Sequence, residues 1–272
     1  NFKYYMKKLI VIADWAEDPL SCQEFRSAAE GFLKNPNSFN ISFVVSFPST
    51  INAGFLCSQI VETEERYGRP LETVIFLNVD PRLQGKGAPL FIIKLKTGIY
   101  LLGPNAGYNF SLIKEKIEEV FVYQGFDKGS QFRSRDFYSR VCAHLMDEME
   151  DELELEEISS NQIPPLQGYY IAHIDNFGNL KTTITVSDFK GKYGKGEIVK
   201  VVINNIEKKA RYVDGLFEGE VGELVIYPGS SGHKDNPYLE ISVWRHLTTT
   251  EFKTGAFEFN NPQPGMEIII KK

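Results

Sequence analysis

The sequence predicts an α/β N-terminal domain with a mainly parallel sheet, followed by a C-terminal all-β domain built as a small barrel or sandwich. Three observations carry this prediction. Residues 8–14 (KLIVIAD), 41–47 and 73–79 (TVIFLNV) are short apolar runs that close on polar or proline-containing loops, as strands buried on both faces do. Residues 21–33, after the first run, carry apolar side chains at helical spacing, the alternation that joins parallel strands. Beyond Gly168 the texture changes to short β-rich runs separated by Gly, Asn and Asp turns.

Further along the first domain, residues 90–95 and 99–102 flank the turn Lys96-Thr97-Gly98 and read as a hairpin, followed by the tight loop Gly103-Pro104-Asn105-Ala106-Gly107. Residues 136–150 place Phe137, Val141, Leu145 and Met146 on one helical stripe. That helix runs into an acidic tract, residues 147–157, with eight carboxylates in eleven residues. Ser159-Ser160-Asn161-Gln162-Ile163-Pro164-Pro165 comes next and has the composition of a linker. The boundary falls there, giving an α/β domain over 1–160 and a β domain over 166–272. In the second domain, residues 169–174, 182–186, 198–203, 223–227 and 238–244 are the expected strands.

The 272 residues suit one large domain or two ordinary ones at roughly 150 residues each. With 42% hydrophobic and 24% charged residues the chain can bury a core, which excludes disorder for most of it. No apolar run approaches the roughly 20 residues that span a bilayer. Residues 1–13 lack the apolar core and cleavage site of a signal peptide, and Met6 can serve as the native start. Cys22, Cys57 and Cys142 are odd in number and form no CxxC pair, which fits reduced thiols and a cytoplasmic location. A formal net charge of −6 argues against a general nucleic-acid binder, because phosphate neutralisation needs a clustered cationic face. His144, His173, His233 and His246 have no metal-ligand spacing, and His144 reads as a partly exposed helix residue. Work on a small molecule, without membrane or nucleic acid, is the expectation.

Ligands of such sheets gather at the carboxyl ends of the strands, where Asp14 and Asp80 both lie. Asp14 can accept both hydroxyls of a ribose, or it can cap a helix. Asp80, before Pro81, can orient a water or take a proton. Gly85-Lys86-Gly87 resembles part of a phosphate loop without the full motif and reads as a flexible turn. The lysines of residues 190–209 read as a solvated face. In Ile174-Asp175-Asn176-Phe177-Gly178-Asn179-Leu180-Lys181-Thr182-Thr183-Ile184 a carboxylate, an aromatic ring and an amide sit within five residues of a strand-turn-strand, either facing one ligand or forming a turn with a buried Phe.

That last segment is similar to the IDxFGNLxTNI signature of the S-adenosyl-L-methionine hydroxide adenosyltransferases, the family that includes the fluorinating and chlorinating enzymes acting on S-adenosylmethionine. Other segments follow in the family's order. Ala13-Asp14-Trp15 with Asp18-Pro19 resembles TDFG…DP, one residue shorter between its carboxylates. Val79-Asp80-Pro81 resembles VDPGVG, and Gly103-Pro104-Asn105-Ala106-Gly107 resembles GPDNG. Phe132-Arg133-Ser134-Arg135-Asp136-Phe137 resembles FHGRDxF. Gly229-Ser230-Ser231-Gly232 and Tyr238-Leu239-Glu240-Ile241 resemble the late (N/G)SSGxLEI segment, with an insertion between them.

The resemblance implies an α/β domain, a barrel-like domain, and a homotrimer with ligand sites at subunit interfaces. It implies hydrolysis of S-adenosylmethionine to adenosine and L-methionine by water attack at ribose C5′, with S-adenosylmethionine as substrate and no cofactor. Asp14 would hold the ribose diol. Asp18, Ser21, Asp175 and Ser230 would hold the methionine end, and Phe177, Asn179 and Tyr212 would frame the adenine. Asp80 stands where the hydrolytic branch has Asp and the fluorinating branch Tyr, which favours water over halide.

Departures from the motifs concentrate around the attacking water. The Arg expected seven residues after the Asp falls on Gly87, the motif His is Arg133, and the acidic residue of GPDNG is Asn105. Arg133 or Lys86 would then supply the missing cation beside Asp80. Ser134 resembles the small hydroxyl of the halide pocket, which keeps a halide-using enzyme as one alternative. A second is a non-catalytic S-adenosylmethionine- or adenosine-binding protein that lost its water site, and a third is a structural scaffold with a filled cleft. The region of Trp244-Arg245-His246 departs from the family pattern, leaving the preferred nucleoside open.

Overall fold

In the computed structural model, which describes residues 6–82, 85, 87–125, 128–244 and 253–272, the first apolar run is β1 (Lys7–Ala13). The chain then forms α1 (Pro19–Phe32), β2 (Phe39–Val45), α2 (Thr50–Tyr67), β3 (Thr73–Asn78), β4 (Leu90–Leu95), β5 (Tyr100–Pro104), β6 (Ile117–Tyr123), α3 (Ser139–Met146) and β7 (Leu155–Glu157). These elements belong to one compact unit, Asn1–Leu166, and the remainder to a second, Gln167–Lys272.

The strands of the first unit make a seven-stranded sheet in the order β2-β1-β3-β5-β4-β6-β7. β1, β2, β3, β5 and β6 run one way, and β4 and β7 run against them. Strand alternation splits the core in two. Leu9, Val11, Val74 and Phe76 face Phe25 and Ala29 of α1 and Val141 and Cys142 of α3. Ile10, Ile12, Ile75 and Leu77 face Ala53, Cys57 and Val61 of α2. Both faces of β1 and β3 are thus covered, which is why these strands read as unbroken apolar runs. Burial pushes the Cys57 thiol up to about 12, so it packs as a small apolar group.

Three readings need revision. The helix expected over 136–150 is shorter: α3 is preceded by a π-turn, Ser134–Tyr138, and His144 lies half-buried on it with Nδ1 facing the Arg140 carbonyl at 2.9 Å. The acidic tract contains β7, an edge strand on β6, where outward carboxylates discourage pairing with another chain. The linker-like stretch packs on the first unit, with Ile163 fully buried, Ser111 Oγ donating to the Pro164 carbonyl at 2.6 Å and Lys114 Nζ to that of Ile163 at 2.6 Å.

The second unit contains β8 (Tyr169–Ile174), β9 (Leu180–Thr185), α4 (Val186–Phe189), β10 (Ile198–Ile203), β11 (Ile206–Tyr212), β12 (Leu224–His233), β13 (Asn236–Val243), α5 (Gly255–Glu258) and β14 (Glu267–Lys271). Its strands close into a barrel, β10-β11-β12-β13-β9-β8-β14, through pairing of β14 with both β10 and β8. Ile171, Leu180, Val201, Ile226 and Ile241 help fill the interior, as in other small barrels. Chemistry in this unit is therefore confined to its surface and loops. No described helix is long and apolar enough to cross a membrane.

Candidate active site

Parallel pairing sets Ala13 of β1 opposite Asn78 of β3, so the chain leaves both strands at the same sheet edge and Asp14 and Asp80 emerge side by side. Both line one cavity of about 360 Å³, together with Trp15, Ser21, Asn78, Arg82, Arg133, Ser134 and Tyr138. Asp14 is the first residue of a short 3₁₀ turn, Asp14–Glu17, whose cap position falls on Ala13. The helix cap is Asp18, which accepts from the Leu20 and Ser21 N–H groups at 3.3 and 3.0 Å and from Ser21 Oγ at 2.7 Å. Those bonds hold the Asp18 carboxyl below its ordinary range, the Ser21 hydroxyl contributing most.

Asp14 behaves oppositely. Loss of hydration raises its pKa; the backbone N–H groups of Asp14 and Trp15 oppose this, the nearby Asp80 charge reinforces it, and Arg82 opposes it. Asp80 is fixed by its own loop, Oδ1 accepting from the Arg82 N–H at 3.0 Å and Oδ2 from the Ala88 N–H at 3.0 Å. Arg133 Nη2 stands 3.5 Å from the same Oδ2, and its guanidinium lies over the Tyr138 ring. The arrangement offers a carboxylate for a diol, a second carboxylate for a water, and a cation to stabilise negative charge beside it.

Two residues missed in the sequence organise this cavity. Asn78 Oδ1 accepts from Trp15 Nε1 at 2.8 Å and from Ser134 Oγ at 2.9 Å, tying the three segments together. An indole nitrogen only donates, so the amide oxygen must face it. Arg82 has φ 48°, a left-handed conformation uncommon outside glycine, at the position where VDPGVG carries its first Gly. That replaced glycine was the available signal. Asn105 does not reach the Asp14 cavity: it lines an adjoining one of about 300 Å³, which shares Asp80 and Arg82, and its Nδ2 donates to the Gln162 carbonyl at 3.1 Å. Lys86, the other candidate cation, lies outside the described residues, as do Arg245 and His246.

On the barrel, Asp175 organises its own turn. Its Oδ1 accepts from the Phe177 and Asn179 N–H groups at 2.9 and 3.0 Å, and its Oδ2 from Asn179 Nδ2 at 2.9 Å. Gly178, at φ 75°, completes the turn and leaves Phe177 66% exposed at the tip, not buried beneath it. The Asn179 amide is committed at both ends, because Oδ1 also accepts from Ser242 Oγ. Ser230 lies beside Lys181 and Glu240: Lys181 Nζ sits 2.6 Å from Glu240 Oε1, which also accepts from the Ser230 N–H at 3.2 Å. Tyr212 corrects an expectation. It is 4% exposed inside the barrel, its ring against Phe189 at 5.0 Å and under Lys195 Nζ at 3.8 Å, so packing rather than adenine occupies it.

A mostly parallel sheet with two carboxylates at the carboxyl edge of β1 and β3, joined in sequence to a closed barrel carrying an Asp-Phe-Asn turn, defines a two-domain α/β-plus-barrel protein. Residues 169–246 match the SAM hydroxide adenosyltransferase C-terminal domain. An "(R)-S-adenosyl-L-methionine hydrolase" of Methanocaldococcus jannaschii is 29% identical over 178 residues, which is 60% of this chain and 61% of that protein, so the match spans less than two thirds of the relative. Residues 169–246 are thus similar to the C-terminal domain of the SAM hydroxide adenosyltransferases, and a stretch of 178 residues is similar to the named hydrolase. An uncharacterized conserved protein from Thermotoga maritima has the same fold at a TM-score of 0.69 and 20% identity, over 97% of this chain and 100% of that one. A conserved hypothetical protein from Thermus thermophilus gives 0.64 at 18% identity, over 98% and 100%.

Proposed function

We propose that the protein hydrolyses S-adenosyl-L-methionine to adenosine and L-methionine. One observation carries the reading: Asp14 and Asp80, from neighbouring parallel strands, open on one cavity with Arg133 beside Asp80. The relative named as a hydrolase of this substrate supports it. In the proposed step a bond forms between water oxygen and ribose C5′ while the C5′–S bond breaks, its electron pair returning to sulfur. The sulfonium leaves as a neutral thioether, so the leaving group needs no general acid. The water's proton passes to Asp80 or to solvent, and alignment by Asp14 on the diol supplies most of the advantage.

Incubation of the purified protein with S-adenosylmethionine should release adenosine on chromatography, and D80N should slow release about 10²- to 10⁴-fold, the usual worth of a general base. No adenosine over many enzyme equivalents refutes the hydrolase. The reaction uses no cofactor in this proposal, so dialysis against a chelator leaves turnover unchanged. A homotrimer in the cytoplasm belongs to the same proposal, and light scattering at the mass of three chains tests the assembly.

A binder without turnover is the second reading. It is favoured by the Asp80 oxygens, each of which already accepts a backbone N–H. Tight adenosine binding by calorimetry with no product selects it. The halide-using alternative finds less support, since the Ser134 hydroxyl gives its proton to Asn78.

A further inference from the structure

The two departures beside the water site, Gly87 and Arg133, meet in space. We infer that Gly87 is a positioning residue: its missing side chain makes the notch in which the Arg133 guanidinium stands on Asp80. The cation carried on the Asp80 loop in the family motif is thus delivered here from the start of the π-turn. The consequence for turnover rests on the hydrolase reading; the seating itself does not.

A Cβ at residue 87 would lie 2.1 Å from Arg133 Nη2 and 2.9 Å from both Cζ and Nη1, closer than non-bonded atoms approach. The next residue, Ala88, is anchored, donating its N–H at 3.0 Å to Asp80 Oδ2, the oxygen that Arg133 Nη2 faces at 3.5 Å, so withdrawal of residue 87 would strain that bond. Notch, loop anchor and ion pair therefore share one carboxylate oxygen. The yielding partner is the guanidinium, the far end of a flexible side chain that also rests on the Tyr138 face, with Cζ 5.6 Å from the ring centroid. A methyl group at residue 87 should displace the cation and leave the fold intact. Misplacement of a catalytic group by about 1 Å costs on the order of 100-fold in rate.

The experiment compares wild type, G87A, R133M and the double variant. In G87A kcat for S-adenosylmethionine should fall about 100-fold, as misplacement predicts, with KM and melting temperature little changed. In the R133M background the same substitution should change kcat by less than about twofold, because residues acting as one unit are not additive. A crystal structure of G87A should show the guanidinium moved off Asp80. Retention of the contact in that crystal, or an equal loss of kcat in both backgrounds, overturns the inference. If wild type releases no adenosine, the hydrolase reading falls, and the crystal alone decides the seating.

Discussion

Asn78 should be worth more to the first domain than a half-hidden amide ordinarily is. Its Oδ1 accepts from Trp15 Nε1 at 2.8 Å and from Ser134 Oγ at 2.9 Å, and Ser134 is 4% exposed. N78A removes one acceptor from two donors. A buried donor left without a partner costs about 1–3 kcal/mol. The Ser134 hydroxyl can rotate toward another acceptor, whereas the indole N–H is held by Phe25, Phe43 and Phe132 around the ring. Taking the low end for the first and the middle for the second gives about 3 kcal/mol. For a domain of this size that lowers the melting temperature by roughly 6–12 °C. Urea unfolding followed by tryptophan fluorescence reads the change, and Trp15 should report it with a red-shifted native emission. A double-mutant cycle with W15F, followed by circular dichroism, should show a coupling of about 2 kcal/mol, the share assigned to the indole donor. A loss under about 0.5 kcal/mol, or one undiminished in the W15F background, refutes the reasoning.

Asp14 should trade stability for binding. Its pKa is raised in the folded protein, chiefly by lost hydration, so the native state holds that proton more tightly than the unfolded chain. The resulting penalty is absent below the unfolded value of 3.8, grows as pH rises through the folded pKa, and is complete at neutrality. D14N should therefore raise the melting temperature at pH 7, a gain that fades below pH 3.8. The same variant should loosen adenosine roughly 10- to 150-fold for each hydrogen bond to charge that is lost; a lower melting temperature at neutrality, or unchanged affinity, contradicts this account. For Tyr212, Y212F should leave adenosine affinity within about twofold, while Y212A removes about 3–5 kcal/mol from the barrel in urea, as aromatic core truncations do. A tenfold loss of affinity in Y212F without loss of stability would return that ring to the ligand.

The sequence made β1 and β3 legible because burial on both faces demands unbroken apolar runs, and it made Asp14 and Asp80 legible because they stand just past those runs. α2 escaped for the converse reason. Its buried residues, Ile51, Asn52, Ala53, Gly54, Phe55, Cys57, Ser58, Val61 and Glu64, mix small and polar side chains with apolar ones, so no apolar stripe stands out. β7 was hidden by its charges, which an edge strand tolerates and a core strand does not. Asn78 had no local signal: its partners Trp15 and Ser134 lie 63 and 56 residues away. Tyr212 entered by motif analogy, although the alternation of β11 already turns Ala210 and Tyr212 inward. The meeting of Gly87 with Arg133 could not be read from two separate substitutions, since it depends on where a long side chain ends.

Setting Ala13 against Asn78 also joins chemical fidelity to folding fidelity. A slip of β3 by one residue would move the Asp80 loop along the edge by about 3.3 Å and turn Ile75 and Leu77 toward α1 and α3. An arrangement that separates the two acids therefore also scrambles the two apolar layers. Mutations that keep this chain folded leave the spacing between the two acids intact, so divergence can proceed at Gly87, Asn105 and Arg133 while the frame that aims Asp14 and Asp80 stays put.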